Sequence, residues 1–266
     1  MSIRSPKGTP IAANSEDDIA ARLRAAGCVF AEDEAALLVE AASSPDELEQ
    51  LVARRVAGEP LEVIVGWAEF CGLRIAVEPG VFVPRYRSGF LVETAIALAG
   101  ENPVVVDLCC GTGAIGAAVL AALPAAEVYA ADLDPAEVRV ARRNLAPEQV
   151  FEGDLFAALP AALRGRVEIL VVNAPYVPTD EIAMMPTEAR DHEARVALDG
   201  GSDGLDIQRR VAAGSSEWLA PGGYLLIETS VRQSPETLAI VERGGLVARI
   251  EHSDDFDATI AVGRKG

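Results

Sequence analysis

From Val104 onward the chain alternates short apolar runs with amphipathic stretches of helical length, and that alternation narrows the possible folds more than any other feature. Strands are expected at 104–107, 127–131, 149–152, 167–172, 223–229, 246–251 and 258–263. Helices are expected between them, at 88–99, 114–123, 135–145, 155–163, 204–219 and 234–243. A regular strand–helix alternation builds a parallel sheet covered on both faces. The last two strands have no helix between them, which predicts an antiparallel hairpin at one edge.

The N-terminal part reads differently. Residues 1–14 have the composition of a flexible tail. Residues 15–60 carry three helical patterns: Ser15 with Asp18 as a cap pair ahead of Ile19 and Leu23, a second run from Glu32 to Ala41, and a third opened by Ser44-Pro45-Asp46-Glu47. Gly58-Glu59-Pro60 stops the third. Residues 61–80 then read as a β-hairpin linker, with Val63-Ile64-Val65 and Leu73–Val77 as its strands around a turn at Gly66 or Gly72. The main domain is expected to span 81–266.

Composition limits function. The 266 residues are 50% hydrophobic and 24% charged, enough for one α/β domain and a small extra one. The net charge of −18 repels phosphate backbones and attracts a basic protein partner, so nucleic acid is not the expected substrate. The four cysteines, Cys28, Cys71, Cys109 and Cys110, match no zinc spacing, and no metal is expected. A reduced cytoplasmic compartment is the simple expectation, since no apolar run approaches a membrane span and the N-terminus lacks a signal-peptide core.

Asp107-Leu108-Cys109-Cys110-Gly111-Thr112-Gly113 sits where the first main strand hands over to a helix. Glycines there admit close approach of a ligand to the backbone, and the helix start favours polar groups. A tight strand–helix turn that binds nothing has the same composition. Asp132 ends the next strand and either accepts from ribose hydroxyls or caps the following helix, a role for which Asp134 is better placed. Asp154, with Leu155, ends the third strand and either meets an adenine amine or caps a helix. Three strand ends meeting at one sheet edge favour a nucleotide-like ligand.

Asn173-Ala174-Pro175-Tyr176 follows the buried-strand run Val167–Val172. With the upstream glycine turn, it is the mark of an S-adenosylmethionine enzyme that methylates a planar nitrogen. From about residue 54 to the C-terminus the chain resembles the protein-(glutamine) methyltransferases that modify release factors (HemK/PrmC-like). The matching segments are Arg55–Leu61, then Gly66, Phe70 and Gly72, Val83-Pro84-Arg85 with Leu91-Val92-Glu93, and above all His192–Asp206. The chain departs from the family at Ala174, where the family has proline, and at Cys109, where it has glycine, with Cys110 following. Tyr86-Arg87-Ser88-Gly89 stands where the family has Pro-Glu-Thr-Glu, which removes two carboxylates.

The resemblance implies a Rossmann-like, seven-stranded S-adenosylmethionine methyltransferase domain of α/β class, with a small N-terminal helical domain for substrate docking joined by a β-hairpin. It implies a cofactor site of Asp107, Cys109, Cys110, Gly111, Thr112, Gly113, Asp132, Asp154, Leu155 and Asn173. Asn173, Ala174, Pro175 and Tyr176 would hold the substrate, with Asn173 and Tyr176 catalytic. The implied partner is a peptide chain release factor. Another protein glutamine, an adenine amine, or silent cofactor binding are the alternative readings. Glu228 and Arg232 receive no role.

Overall fold

The computed structural model describes residues 15–266; the tail expected over 1–14 lies outside the described residues. The chain divides into two compact units, one ending at Gly66 and one spanning Trp67–Gly266.

The first unit is four helices: α1 (Glu16–Ala25), α2 (Ala31–Ala41), α3 (Pro45–Val56) and α4 (Leu61–Val65). Ser15 and Asp18 form the expected reciprocal cap, each accepting the other's backbone N–H. At α3 the Ser44 side chain accepts from the Glu47 N–H, while the Glu47 carboxylate reaches back to the Ser43 N–H rather than to the cap residue. Ile19, Leu23, Leu38, Leu48, Val52 and Ile64 close one core. Beside it, Arg55 donates to Glu34 at 2.6 Å, both side chains buried.

The strand expected at Val63-Ile64-Val65 is instead α4, so the hairpin linker begins later than 61. A three-residue apolar run fits either period. Here Ile64 joins the helical core, and Gly66 closes the turn at φ 82 by donating its N–H to the Glu62 carbonyl. Burial on one side outweighs the β preference of the branched side chains.

The second unit opens with the antiparallel hairpin β1 (Trp67–Phe70) and β2 (Leu73–Ala76). There follow α5 (Gly89–Leu98), β3 (Val104–Leu108), α6 (Ala114–Ala122), β4 (Glu127–Asp132), α7 (Pro135–Asn144), β5 (Val150–Glu152) and β6 (Val167–Val172). The chain then runs through α8 (Thr187–His192), α9 (Asp206–Trp218), β7 (Leu219–Thr229), α10 (Ser234–Arg243), β8 (Val247–Ser253) and β9 (Ala258–Arg264). The sheet order is β5-β4-β3-β6-β7-β9-β8. The first five strands run parallel, and β9 inserts antiparallel between β7 and β8. The edge hairpin read from the sequence is present.

Alternate residues of the central strands feed two cores. Val105, Ile169, Val171 and Leu226 face one side, Val106, Leu170, Val172 and Ile227 the other. Both faces being covered explains why these strands read as unbroken apolar runs. The helix expected over 155–163 is two 3-10 turns, Leu155–Ala158 and Ala161–Leu163, split at Pro160. Proline has no N–H to donate and holds Leu159 extended at ψ 145. Among the described residues, no helix is long and apolar enough to cross a membrane.

Register places the site. Leu108 pairs with Ala131 on one side and Val172 on the other, and Val172 pairs with Ile227. The next residue of each strand is therefore Cys109, Asp132, Asn173 and Glu228, all at the same carboxyl edge of the sheet. The strand order reverses between β3 and β6, the position where open α/β sheets form ligand crevices.

Candidate active site

The turn after β3 is organised by two acids. Asp107 is fully buried; its Oδ2 accepts from the Gly116 N–H at 2.9 Å, and its Oδ1 has no hydrogen-bond partner. Burial pushes its pKa up to about 7, against the opposing pull of that N–H. Asp132 takes the Gly111 N–H on Oδ2 at 2.8 Å and the Asp134 N–H on Oδ1 at 3.0 Å. The helix cap of α7 is Asp134, which accepts from Ala136 at 2.8 Å. That frees Asp132 from capping and leaves its remaining lone pairs to the cleft.

Cys109 occupies a left-handed conformation, φ 59, where glycine would be unstrained. Burial pushes both the Cys109 and Cys110 thiols well above the ordinary cysteine value, with Asp132 and Asp107 adding to it. Thiols held protonated are poor nucleophiles, so the pair is packing rather than redox chemistry. Asp154 pairs with Arg210 of α9 at 2.6 Å, both half-exposed.

A cavity of about 570 Å³ lies over this edge, within the usual small-molecule range of roughly 300–1,000 Å³. Cys109, Cys110, Gly111, Thr112, Asp132, Asp154, Leu155 and all of Asn173–Tyr176 line it. Asp107 and Gly113 do not; they sit behind the wall and shape the turn. A side chain at Gly113 would press on Leu145 and Ala141.

On the far wall, five side chains interlock. Glu228 is buried at the end of β7. Its Oε2 accepts from the Ser88 hydroxyl at 2.6 Å, and its Oε1 from Arg87 Nε at 3.2 Å and the Tyr176 hydroxyl at 3.3 Å. Ser88 Oγ in turn accepts from Asn173 Nδ2 at 3.1 Å. Burial, with Glu228 beside it, pushes the Tyr176 hydroxyl up to about 12, so it stays a donor. The sequence reading missed Glu228 and Ser88. The register of β7 against β6 was the one signal that could have placed Glu228.

The departures at 86–89 have a physical partner. The Phe256 ring, in the β8–β9 turn, lies 5.1 Å from the Tyr86 ring, and a Cβ on Gly89 would fall 2.6 Å from it. The space beside residue 89 is filled by an aromatic ring, and the guanidinium of Arg87 balances Glu228.

The segment 192–206 clamps the site from outside. Glu193 pairs with Arg85 and accepts from the Val83 N–H, tying this segment to the stretch before α5. Val177 and Gly200 exchange backbone bonds with their neighbours across the loop, Val177 N–H to Leu198 and Gly200 N–H to Val177. Gln233 donates to the Tyr176 carbonyl at 2.9 Å. Glu137, buried on α7, accepts the Phe82 N–H at 2.6 Å, and its Oε2 has no hydrogen-bond partner. Burial first, then Asp132, Asp134 and Glu193, push its carboxyl up to about 8. Among the described residues, no cluster of acids, cysteines and histidines is arranged to hold a metal.

A family model described as the methyltransferase small domain matches residues 72–243. The release factor glutamine methyltransferase of Geobacter sulfurreducens is 39% identical, the match covering 76% of this chain and 72% of that protein. The enzyme of the same name from Streptomyces coelicolor is 37% identical over 77% and 75%. A methyltransferase structure from Pyrococcus furiosus, 16% identical, superposes with a TM-score of 0.55 over 73% of this chain and 90% of that one, a likeness of fold.

Two outcomes follow for variants. Gly204 has φ +78, and a Cβ there would lie 2.2 Å from the Tyr176 carbonyl oxygen, whereas Gly222 has φ +79 and nothing closer than 3.5 Å. Gly204→Ala should therefore lower the unfolding free energy measured by urea titration by at least ~1–3 kcal/mol more than Gly222→Ala. For Glu137 the folded pKa, about 8, lies above the ordinary carboxyl value. Between those two values the native state holds a proton that the unfolded state releases, so stability falls as pH rises through that window. Glu137→Gln should leave Tm near wild type at pH 5 and exceed it increasingly up to pH 8–9.

Proposed function

The chain belongs to the release factor glutamine methyltransferase family, and from that premise we propose that its cleft methylates the side-chain amide nitrogen of a glutamine in a peptide chain release factor, with S-adenosylmethionine as donor. The observation that carries this is the meeting of Asn173, Ala174 and Tyr176 with the Gly111 turn in one cavity.

The residues fit that donor. The cavity is lined by the acids Asp132, Asp134 and Asp154, which suit a cationic ligand. Asp132 would take the ribose hydroxyls, Leu155 would cover the adenine, Asp154 would meet its amine, and the 109–112 turn would hold the amino-acid tail. When bound, the donor supplies a methyl group on a positively charged sulfur, a good leaving group.

A glutamine amide nitrogen is a weak nucleophile, because its lone pair is delocalised into the carbonyl. The protein's task is alignment and polarisation. Asn173 Oδ1 accepts one amide hydrogen and the carbonyl of Ala174 the other, which raises electron density on nitrogen as positive charge develops. Alanine serves here as proline would, because the backbone oxygen does the work. Ala174 is buried and Pro175 keeps it extended. Tyr176 lies against the planar amide. The nitrogen's proton becomes acidic only after transfer, so no base acts beforehand.

The net charge of −18 supports a basic protein partner and disfavours nucleic acid. We assign docking of that partner to the helical unit, and the site of action to the cytoplasm, where release factors work.

Incubation of the protein with a release factor and S-adenosylmethionine labelled in the methyl group should place label on one glutamine, located by mass spectrometry. Asn173→Ala should cut the rate by at least about 10²-fold. Label on another residue type, or undiminished transfer by the variant, would contradict the proposal.

A further inference from the structure

An asparagine amide can face a substrate with either end, and only its oxygen can accept the glutamine N–H. Nothing in Asn173 itself makes that choice. The choice is made by what the other end of the amide meets in the cavity wall.

Glu228, as a carboxylate, has no hydrogen to give. Its Oε1 is met by two donors, Arg87 Nε at 3.2 Å and the Tyr176 hydroxyl at 3.3 Å. Its Oε2 therefore faces Ser88, at 2.6 Å, and takes the single hydroxyl proton of that serine. Ser88 is 2% exposed, so no bulk solvent competes for it. With its proton spent, the Ser88 oxygen can only accept, and the group that meets it at 3.1 Å is Asn173 Nδ2. The Asn173 oxygen is left for the cleft.

Resting on the function proposed above, we propose that Ser88 and Glu228 are positioning residues that set the direction of the Asn173 amide, and with it the preference for a substrate group that donates rather than accepts. The chain of hydrogen bonds runs one way, from Asn173 to Ser88 to Glu228. The direction is fixed by the absence of a proton on Glu228 and by the two donors on its other oxygen. Reversing it requires a hydrogen on the Oε2 side.

Glu228→Gln does this without changing shape. Arg87 and Tyr176 still demand an oxygen, so the new NH₂ falls toward Ser88 and donates to it. Ser88 then donates to Asn173, and Asn173 turns its NH₂ to the cleft, donor against donor. Ser88→Ala removes the relay, whereas Ser88→Thr keeps the hydroxyl.

The test is steady-state methyl transfer to the release factor, with kcat and KM separated and Tm recorded for each variant. Glu228→Gln and Ser88→Ala should lower kcat by about ten- to a hundredfold with KM within about threefold of wild type, the size expected when a reacting group is misdirected. Ser88→Thr should stay within about threefold in both constants. Wild-type kcat in Glu228→Gln, or a Ser88→Thr enzyme as slow as Ser88→Ala, would overturn the assignment. So would a loss confined to KM. A wild-type protein that labels no glutamine would instead overturn the parent function, so the two failures are distinguishable.

Discussion

Glu228 is a buried charge, and a buried charge must be met by donors or it destabilises the fold. Three groups from two distant parts of the chain meet it: Arg87 and Ser88 ahead of α5, and Tyr176 after β6. Each belongs to the wall of one cavity or to the chain that forms it. Satisfying the charge therefore also draws the far wall of the cleft together. The pairing of Val172 with Ile227 makes this possible, since it brings Glu228 beside Asn173 at the end of neighbouring strands. The near wall follows the same logic, with Asp132 holding the Gly111 N–H and Asp107 holding the Gly116 N–H across the turn.

The segment 192–206 is fitted to this arrangement from outside. Gly204 lies so close to the Tyr176 carbonyl that a Cβ would collide, and Gly200 approaches the Pro175 carbonyl nearly as closely. The glycines let the loop back onto Asn173–Tyr176 and hold that backbone where its carbonyls can serve as acceptors. At the other end of the loop, Glu193 reaches Arg85 and steadies the stretch that leads to Ser88. The changes at Tyr86, Arg87 and Gly89 are equally local. Phe256 takes up the space beside Gly89, and Arg87 supplies the positive charge that Glu228 faces.

The central strands were legible because both their faces are buried, which leaves a run such as Val167–Val172 almost free of polar residues. Helix starts at Ser15, Ser44 and Asp134 were legible from side chains that bond to backbone within a few residues. Val63-Ile64-Val65 was misread because three apolar residues carry no period, and the decision came from packing with the helices before it. The stretch 155–163 was misread because its apolar pattern hid the break at Pro160. In the site, the turn and Asn173–Tyr176 stood out as contiguous motifs. Glu228 did not, since its partners lie 52 to 141 residues away and only sheet register brings them together. Glu137 was hidden for a related reason: its Phe82 partner is 55 residues off.

The central claim is that Asn173 and Ala174 present two oxygens to one amide nitrogen above the Gly111 turn. A crystal structure with S-adenosylhomocysteine and a release-factor peptide carrying its glutamine tests this directly. The account predicts the glutamine nitrogen within hydrogen-bond distance, about 2.7–3.2 Å, of both Asn173 Oδ1 and the Ala174 carbonyl, with Asn173 Nδ2 still on Ser88. A glutamine bound elsewhere in the cleft, or an Asn173 amide turned with its nitrogen toward the substrate, would contradict it.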